Sequence, residues 1–374
     1  MSAPSRSHRL RSRRRVPVAR PLSAALLTAA ALAAASVPAG ATAGPASPAG
    51  ALGSLTGSLD DPGAGSQTPP GAQNLPAGFD LQSHRGGRGE TTEESLRAFA
   101  KSLDLGVTTL ELDIGITADG IPVVWHDPVI SAEKCVDTSP ATPGDPQFPY
   151  VGAPVHDLTW AQIQTLDCGL PLSAYPEAEV VAGNRIAQLS EVFALTAERG
   201  ADVHFNIETK LDPTAPEETA TGAEFVDAIL AEVRAAGVRD KVMIQSFDWS
   251  TLPLVAAQEP QIPLVMLWTA ANWVPGSPWT GPVDFLSVGG DITAAADRLG
   301  AAVLSPHHSL VDSDLLAAAE AAGLRVVPWT VNDRSDMATL IDLGVDGIST
   351  DHPTRLRELM IERGMDVPTP YPAS

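Results

Sequence analysis

The chain has 374 residues and a formal net charge of −21, enough for one large domain or two small ones. Residues 1–43 carry seven arginines and no acid, so their removal leaves 17 basic residues against 45 acidic, a net −28. A body this acidic repels nucleic acid and anionic membranes, and an anionic substrate would need a metal or local basic residues to offset the field.

The basic opening, the apolar run "PLSAALLTAAALAAASVPAG" and the small residues "ATA" (Ala41–Ala43) follow the three-part order of a secretory signal. The run is alanine-rich and short for a bilayer span, which needs about 20 apolar residues. Cleavage and secretion are therefore expected over a membrane anchor, with the export route (general or twin-arginine) left open. Residues 44–77 are Gly, Pro, Ser and Ala with almost no large apolar side chain, the composition of a flexible linker.

From residue 78 to about 365, short β-branched runs alternate with helical patterns. Strands are expected at 80–84, 108–115, 203–209, 242–247, 263–268, 301–306, 325–331 and 346–350. "TEESLRAFAKSLDLG" reads as an amphipathic helix with Thr92 as cap, a Leu96–Phe99–Leu103 stripe and Gly106 as stop. "GAEFVDAILAEVRAAG", "DSDLLAAAEAAG" and "RSDMATLIDLG" repeat the device. Eight strands alternating with helices predict an α/β fold, a closed (β/α)8 TIM barrel, ahead of an open doubly wound sheet. The rhythm stops from about 129 to 184, a proline-rich interval read as an insertion after the second strand. It holds both cysteines, Cys135 and Cys168. In an exported chain two cysteines suggest one disulfide, here a staple on a loop-rich excursion.

In "LELDIGI" the apolar residues alternate with Glu111 and Asp113. Residues two apart share one face of a strand, so the two carboxylates project together. Inside a parallel barrel such a pair is costly without a partner, and a bound cation is the simplest one. "VHFNIETK" places Glu208 and Lys210 on one face near the end of the next expected barrel strand. Glu111, Asp113 and Glu208 make an oxygen site suited to Ca²⁺ or Mg²⁺, whereas Zn²⁺ normally takes more His or Cys. His84 and Arg85 end the first strand, and His126 follows "IPVVW". Two histidines beside a cation and basic residues suggest general acid–base chemistry on a phosphoester.

The set "HRG", "ELDI…DGIPVVWHD", "NIETK", "QSF", "WTVN" and "DGISTDHP" resembles the glycerophosphodiester phosphodiesterase family, in register from residue 80 to about 358. The resemblance implies a phosphodiesterase barrel that hydrolyses a small-molecule glycerophosphodiester to sn-glycerol 3-phosphate and an alcohol. It implies His84 and His126 as the acid–base pair, with Arg85 and Lys210 on phosphate. One divalent cation would lie on Glu111, Asp113 and Glu208, and Gln245, Phe247, Trp329 and Asn332 would surround the glycerol. Export favours Ca²⁺ over Mg²⁺. The nearest alternative is a phospholipase of the related barrel type, of the sphingomyelinase D or phosphoinositide phospholipase C kind; "NIETK" and "WTVN" argue against it. The segment 284–300 stands out as an extra.

Overall fold

The computed structural model describes residues 68–373, so the expected signal and most of the expected linker lie outside the described residues. In chain order the strands are β1 (Asp80–Ser83), β2 (Thr109–Ile116), β3 (Pro122–Val124), β4 (His204–Thr209), β5 (Val242–Ser246), β6 (Leu264–Trp268), β7 (Val303–Pro306), β8 (Arg325–Val326) and β9 (Gly347–Thr350). The helices are α1 (Leu96–Leu105), α2 (Trp160–Ile163), α3 (Leu189–Glu198), α4 (Gly222–Ala236), α5 (Leu252–Gln258), α6 (Ile292–Leu299), α7 (Ser313–Ala322), α8 (Arg334–Leu343) and α9 (Pro353–Glu362).

Eight strands run in the order β8-β7-β6-β5-β4-β2-β1-β9, and β3 pairs off this path with β2. All neighbours on the path are parallel. Backbone bonds from Asp346 N–H to Val326 O and from Ser349 N–H to Pro328 O, each 3.0 Å, link the segment after β8 to β9 and bring the two ends of the path together. This is the expected barrel. Alternation places the side chains. Leu110, Leu112 and Ile114 of β2 and Phe205 and Ile207 of β4 are buried in the outer layer with Phe99, Leu103, Val192 and Phe225 of the helices. Phe193 of α3 meets Phe205 edge-on at 4.8 Å between ring centroids, a geometry that adds to the burial energy of both rings. The intervening residues Glu111, Asp113, Asn206 and Glu208 are left to the interior, and all four are buried.

Five local expectations change. Ser95, not Thr92, caps α1: its Oγ accepts from Ala98 N–H at 3.0 Å, while Thr92 Oγ1 accepts from Val181 N–H in the insertion. Glu94 therefore lies before the helix, at φ +54. The apolar run after "TADG" forms a ninth strand, β3, antiparallel to β2. The seventh expected strand, 325–331, keeps only Arg325–Val326 as regular ladder, because Pro328 has no N–H to donate. The segment 284–300 is no extra: it supplies α6, which packs Ala295, Ala296 and Leu299 into the main core. At the other end of the chain, Ala72 and Leu75, expected in the linker, pack against Met243, Val265 and Val303, and Arg325 donates to Pro76 O at 2.6 Å.

The insertion has a small core of its own, including Ile130, Tyr150, Leu158, Ile163 and Leu166. Cys135 and Cys168 are bonded across a sequence separation of 33. Next to that bond, Val136 and Asp167 exchange backbone hydrogen bonds of 2.8 and 3.1 Å. Closing a loop of this length stabilises by about 3–4 kcal/mol in the chain-entropy model, and the gain belongs to the insertion. Reduction should therefore raise amide exchange across residues 129–184 while β2, β4 and β5 keep their protection. Exchange read by mass spectrometry checks this, and equal loss in those strands would contradict it.

Candidate active site

Most site residues stand at the C-terminal end of a barrel strand or just beyond it, where barrel enzymes place their chemistry; Glu111 lies deeper in β2, and His126 follows β3, off the barrel path. β2 supplies Glu111 and Asp113, and β4 supplies Glu208 with Lys210 following. One oxygen from each of Glu111, Asp113 and Glu208 lies within 4.8 Å of the others. Glu111 is fixed at both oxygens: Gln245 Nε2 donates to Oε1 at 2.7 Å and the Arg85 backbone N–H donates to Oε2 at 2.8 Å. Arg85 makes that contact from a left-handed backbone, φ +51, a conformation that costs energy for any residue but glycine.

Three buried carboxylates need compensating charge. Lys210 Nζ lies 2.7 Å from Glu208 Oε1 and 3.7 Å from Asp113 Oδ1, and Arg85 Nε lies 3.0 Å from Asp113 Oδ2. The Arg85 contact is off the hydrogen-bond line, and Asp113 Oδ2 is a buried acceptor with no hydrogen-bond partner. Burial pushes Glu208 up to about 7, and burial together with Asp113 raises Glu111 well above the carboxylate range. Burial also opposes charge on Asp113, but Lys210, His126 and Arg85 outweigh it and hold that carboxyl well below its usual value. An all-oxygen triad with one unsatisfied buried acceptor and two members held up toward the proton-bearing form suits a hard divalent cation. This triad can hold a metal ion.

The two histidines are built alike. His84 Nδ1 lies 2.6 Å from Asp351 Oδ1, and His126 Nδ1 lies 2.8 Å from Asp127 Oδ1. Such a carboxylate contact fixes the tautomer and leaves Nε2 for the site. Burial lowers both imidazoles against their carboxylate partners, His126 to about 4. Asp351 is itself held by Arg88 Nε at 2.9 Å, Tyr175 OH at 2.6 Å and Asn332 Nδ2 at 2.7 Å. Burial disfavours its charge, yet His84, Arg88 and Tyr175 hold it far below the carboxylate range.

Two cavities meet here. The narrow one, about 130 Å³, is bounded by His84, Arg85, Arg88, Glu111, Gln245, Ser305, Trp329 and Ser349. The wider one, about 410 Å³, is mostly apolar and includes Leu211, Asp212, Thr269 and Trp279. His126, Glu208, Lys210 and Phe247 border both. Phe247 and Trp329 stand edge-on at 5.2 Å, and Trp329 Nε1 donates to Ser305 O.

The structure thus gathers His84, His126, Arg85, Lys210, Glu111, Asp113, Glu208, Gln245, Phe247 and Trp329. Asn332 takes another place: it borders neither cavity and binds Asp351 through both ends of its amide. Gln245 borders the narrow cavity but commits its amide to Glu111 and Asn206. Sequence reasoning passed over Arg88, Glu93, Asp127, Lys134, Tyr175 and Asp351. Only Asp127 and Asp351 had a legible signal, each being an acid in a quoted motif, "DGIPVVWHD" and "DGISTDHP".

Glu208→Gln should weaken divalent-cation binding at least about tenfold while leaving the barrel folded, since neutralising one ligand removes a full charge from the site. In the parent protein proton and cation compete for the same oxygens, so affinity should rise as pH passes upward through about 7. Calorimetric titration of chelator-stripped protein checks both, and unchanged affinity in the variant would contradict the assignment.

The glycerophosphoryl diester phosphodiesterase family model matches residues 84–355. A glycerophosphodiester phosphodiesterase of Caldanaerobacter subterraneus subsp. tengcongensis is 28% identical over 286 residues, 75% of this chain and 98% of that one. A Bacillus subtilis protein of the same name is 27% identical, with 72% and 83% covered. A solved structure from Silicibacter pomeroyi, named for the same family, superposes with a TM-score of 0.67 at 29% identity over 79% of this chain and 97% of its own. An Oleispira antarctica phosphodiesterase solved with the product sn-glycerol-3-phosphate shares the fold, with a TM-score of 0.58 at 20% identity and 76% and 97% covered. The family match begins at His84 itself and runs into α9, across every strand that carries a site residue, and the chain belongs to the glycerophosphoryl diester phosphodiesterase family.

Proposed function

We propose that the protein hydrolyses glycerophosphodiesters to sn-glycerol 3-phosphate and an alcohol, with a divalent cation and two histidines of separate duty. The observation that carries this reading is the pair of carboxylate-held imidazoles facing one cavity beside the triad. The narrow polar cavity suits the glycerol phosphate and the wider apolar one the departing alcohol. The Oleispira antarctica phosphodiesterase of the same fold was solved with sn-glycerol-3-phosphate, the product proposed here.

His84 borders only the narrow cavity, whereas His126 stands where the two meet. In-line displacement puts attacker and leaving group on opposite sides of phosphorus. His84 Nε2 therefore takes the proton from the attacking hydroxyl as that oxygen bonds to phosphorus. His126 gives its Nε2 proton to the alcohol oxygen as the old P–O bond breaks. Where the attacker is the substrate's own glycerol hydroxyl, water then opens the resulting cyclic phosphate, His126 taking the water's proton and His84 returning its own to the glycerol oxygen, to give sn-glycerol 3-phosphate. An acid must be protonated when it acts, and the anionic diester adds the negative charge that favours imidazolium at His126. Arg85, Arg88 and Lys210 line the wall with positive charge that the diester anion needs in so acidic a protein. A cation on Glu111, Asp113 and Glu208 supplies further charge neutralisation at the phosphoryl group. We assign it as Ca²⁺, on the all-oxygen ligand set and on export. Export rests on the N-terminal signal pattern and is supported by the disulfide, a bond that persists in oxidising compartments.

His84→Ala and His126→Ala should each lower kcat by about 10²-fold or more with the fold retained. The losses should differ with the leaving group. His126→Ala should recover much of its rate on a nitrophenyl diester, whose alcohol leaves without protonation, and His84→Ala should not. Equal recovery in both variants, or in neither, would contradict the assignment.

A further inference from the structure

His126 and Asp127 are chain neighbours in the loop after β3, and fixing the orientation of both side chains takes a further contact. The structure supplies one from elsewhere. Lys134 Nζ lies 2.8 Å from Asp127 Oδ2, the oxygen that His126 does not use, and 2.6 Å from Glu93 Oε1. Its side chain is only 13% exposed and its ammonium stands 5.0 Å from the Trp125 ring centroid. Glu93 in turn faces Arg85 Nη1 at 3.4 Å. One unbroken line of alternating charge thus joins His126 to the phosphate side of the site, and Lys134 is its central link.

Lys134 belongs to the insertion and immediately precedes Cys135. Its backbone is pinned on both sides: its N–H donates to Ser131 O at 3.1 Å, and its carbonyl accepts from Leu170 N–H at 3.2 Å. Leu170 lies two residues beyond Cys168, so the Cys135–Cys168 bond clamps the two segments whose pairing sets the height of the lysine. A surface ion pair would contribute little. This lysine is flanked by a largely buried glutamate, and its loss leaves Asp127 with His126 alone and Glu93 with only the longer contacts to Arg85 at 3.4 Å and Arg88 at 3.6 Å.

We propose that Lys134 is a positioning residue for proton transfer: it locks the Asp127–His126 pair, and through it the disulfide-stapled insertion becomes part of the catalytic machinery. The proposal rests on the reading of His126 as a proton donor. It gives the insertion a task beyond its own stability, and it makes the disulfide a condition for full turnover.

The test uses the full chain with Lys134→Met, which keeps most of the side chain's length, and Lys134→Arg, which keeps the charge. Kinetics are measured on an alkyl glycerophosphodiester and on a nitrophenyl diester. The Nδ1 proton of His126 is followed by NMR in ¹⁵N-histidine-labelled protein. Lys134→Met should lower kcat about tenfold on the alkyl substrate with KM changed by less than about twofold, and much less on the nitrophenyl substrate. Lys134→Arg should recover most of the loss. The downfield His126 Nδ1 proton should broaden away in the methionine variant and persist in the arginine variant. Reduction of the disulfide in the parent protein should reproduce part of the kcat loss. An unaltered His126 proton in Lys134→Met overturns the locking role even if no phosphodiester proves to be a substrate. Equal losses on both substrates, without rescue by arginine, would mark the residue as merely structural. Full activity after reduction would remove the disulfide from the account.

Discussion

The site is arranged around one electrostatic constraint: three carboxylates buried side by side inside a parallel barrel. Glu111, Asp113 and Glu208 are at most 6% exposed. An isolated buried carboxylate is too costly to persist as such; it finds a countercharge, takes up a proton or binds a metal. Here the first two operate within a few ångströms, and the triad is arranged so that it can hold a metal ion. Lys210 and Arg85 supply countercharge, Glu111 and Glu208 are pushed toward protonation, and Asp113 Oδ2 has no hydrogen-bond partner.

The same constraint explains the polar interior beneath the triad. Gln82 Nε2 donates to Asp80 and Gln82 Oε1 accepts from Asn206, which also donates to Gln245, which donates to Glu111. This chain of amides crosses the barrel and ends on a ligand oxygen, so a rigid scaffold sets the carboxylate's direction. Backbone strain is concentrated there too. Arg85 and Glu94 are the non-glycine residues of positive φ among those described, and Glu94 N–H donates to Arg85 O at 2.9 Å. Gly86, beside them at φ +75, backs so closely on α1 that an added Cβ would stand 2.9 Å from the Ala98 methyl. The turn that delivers His84 and Arg85 is thus held against the first helix on one side and Glu111 on the other.

Much of this was legible in the sequence, for a physical reason. In a strand the period is two, so "LELDIGI" states which side chains go inward, and those carboxylates do share the interior. Strand positions followed from β-branched runs, and helix ends from glycines such as Gly106, at φ +87. What stayed hidden depends on contacts distant in sequence. Ser95 and Thr92 are both good caps, and the difference lies in Val181, which claims Thr92. Lys134 and Tyr175 lie in the interval without periodicity, and nothing local says that they meet Asp127 and Asp351. Asn332 sits in a quoted motif, yet its amide is spent on Asp351 and not on a cavity wall.

The most direct measurement of the central claim is anomalous diffraction from crystals soaked in Ca²⁺ or Mn²⁺ after chelator stripping. The account predicts one strong peak among the oxygens of Glu111, Asp113 and Glu208, with Asp113 Oδ2 among its neighbours. Peaks only elsewhere, in an enzyme that needs no added cation for full turnover, would contradict it.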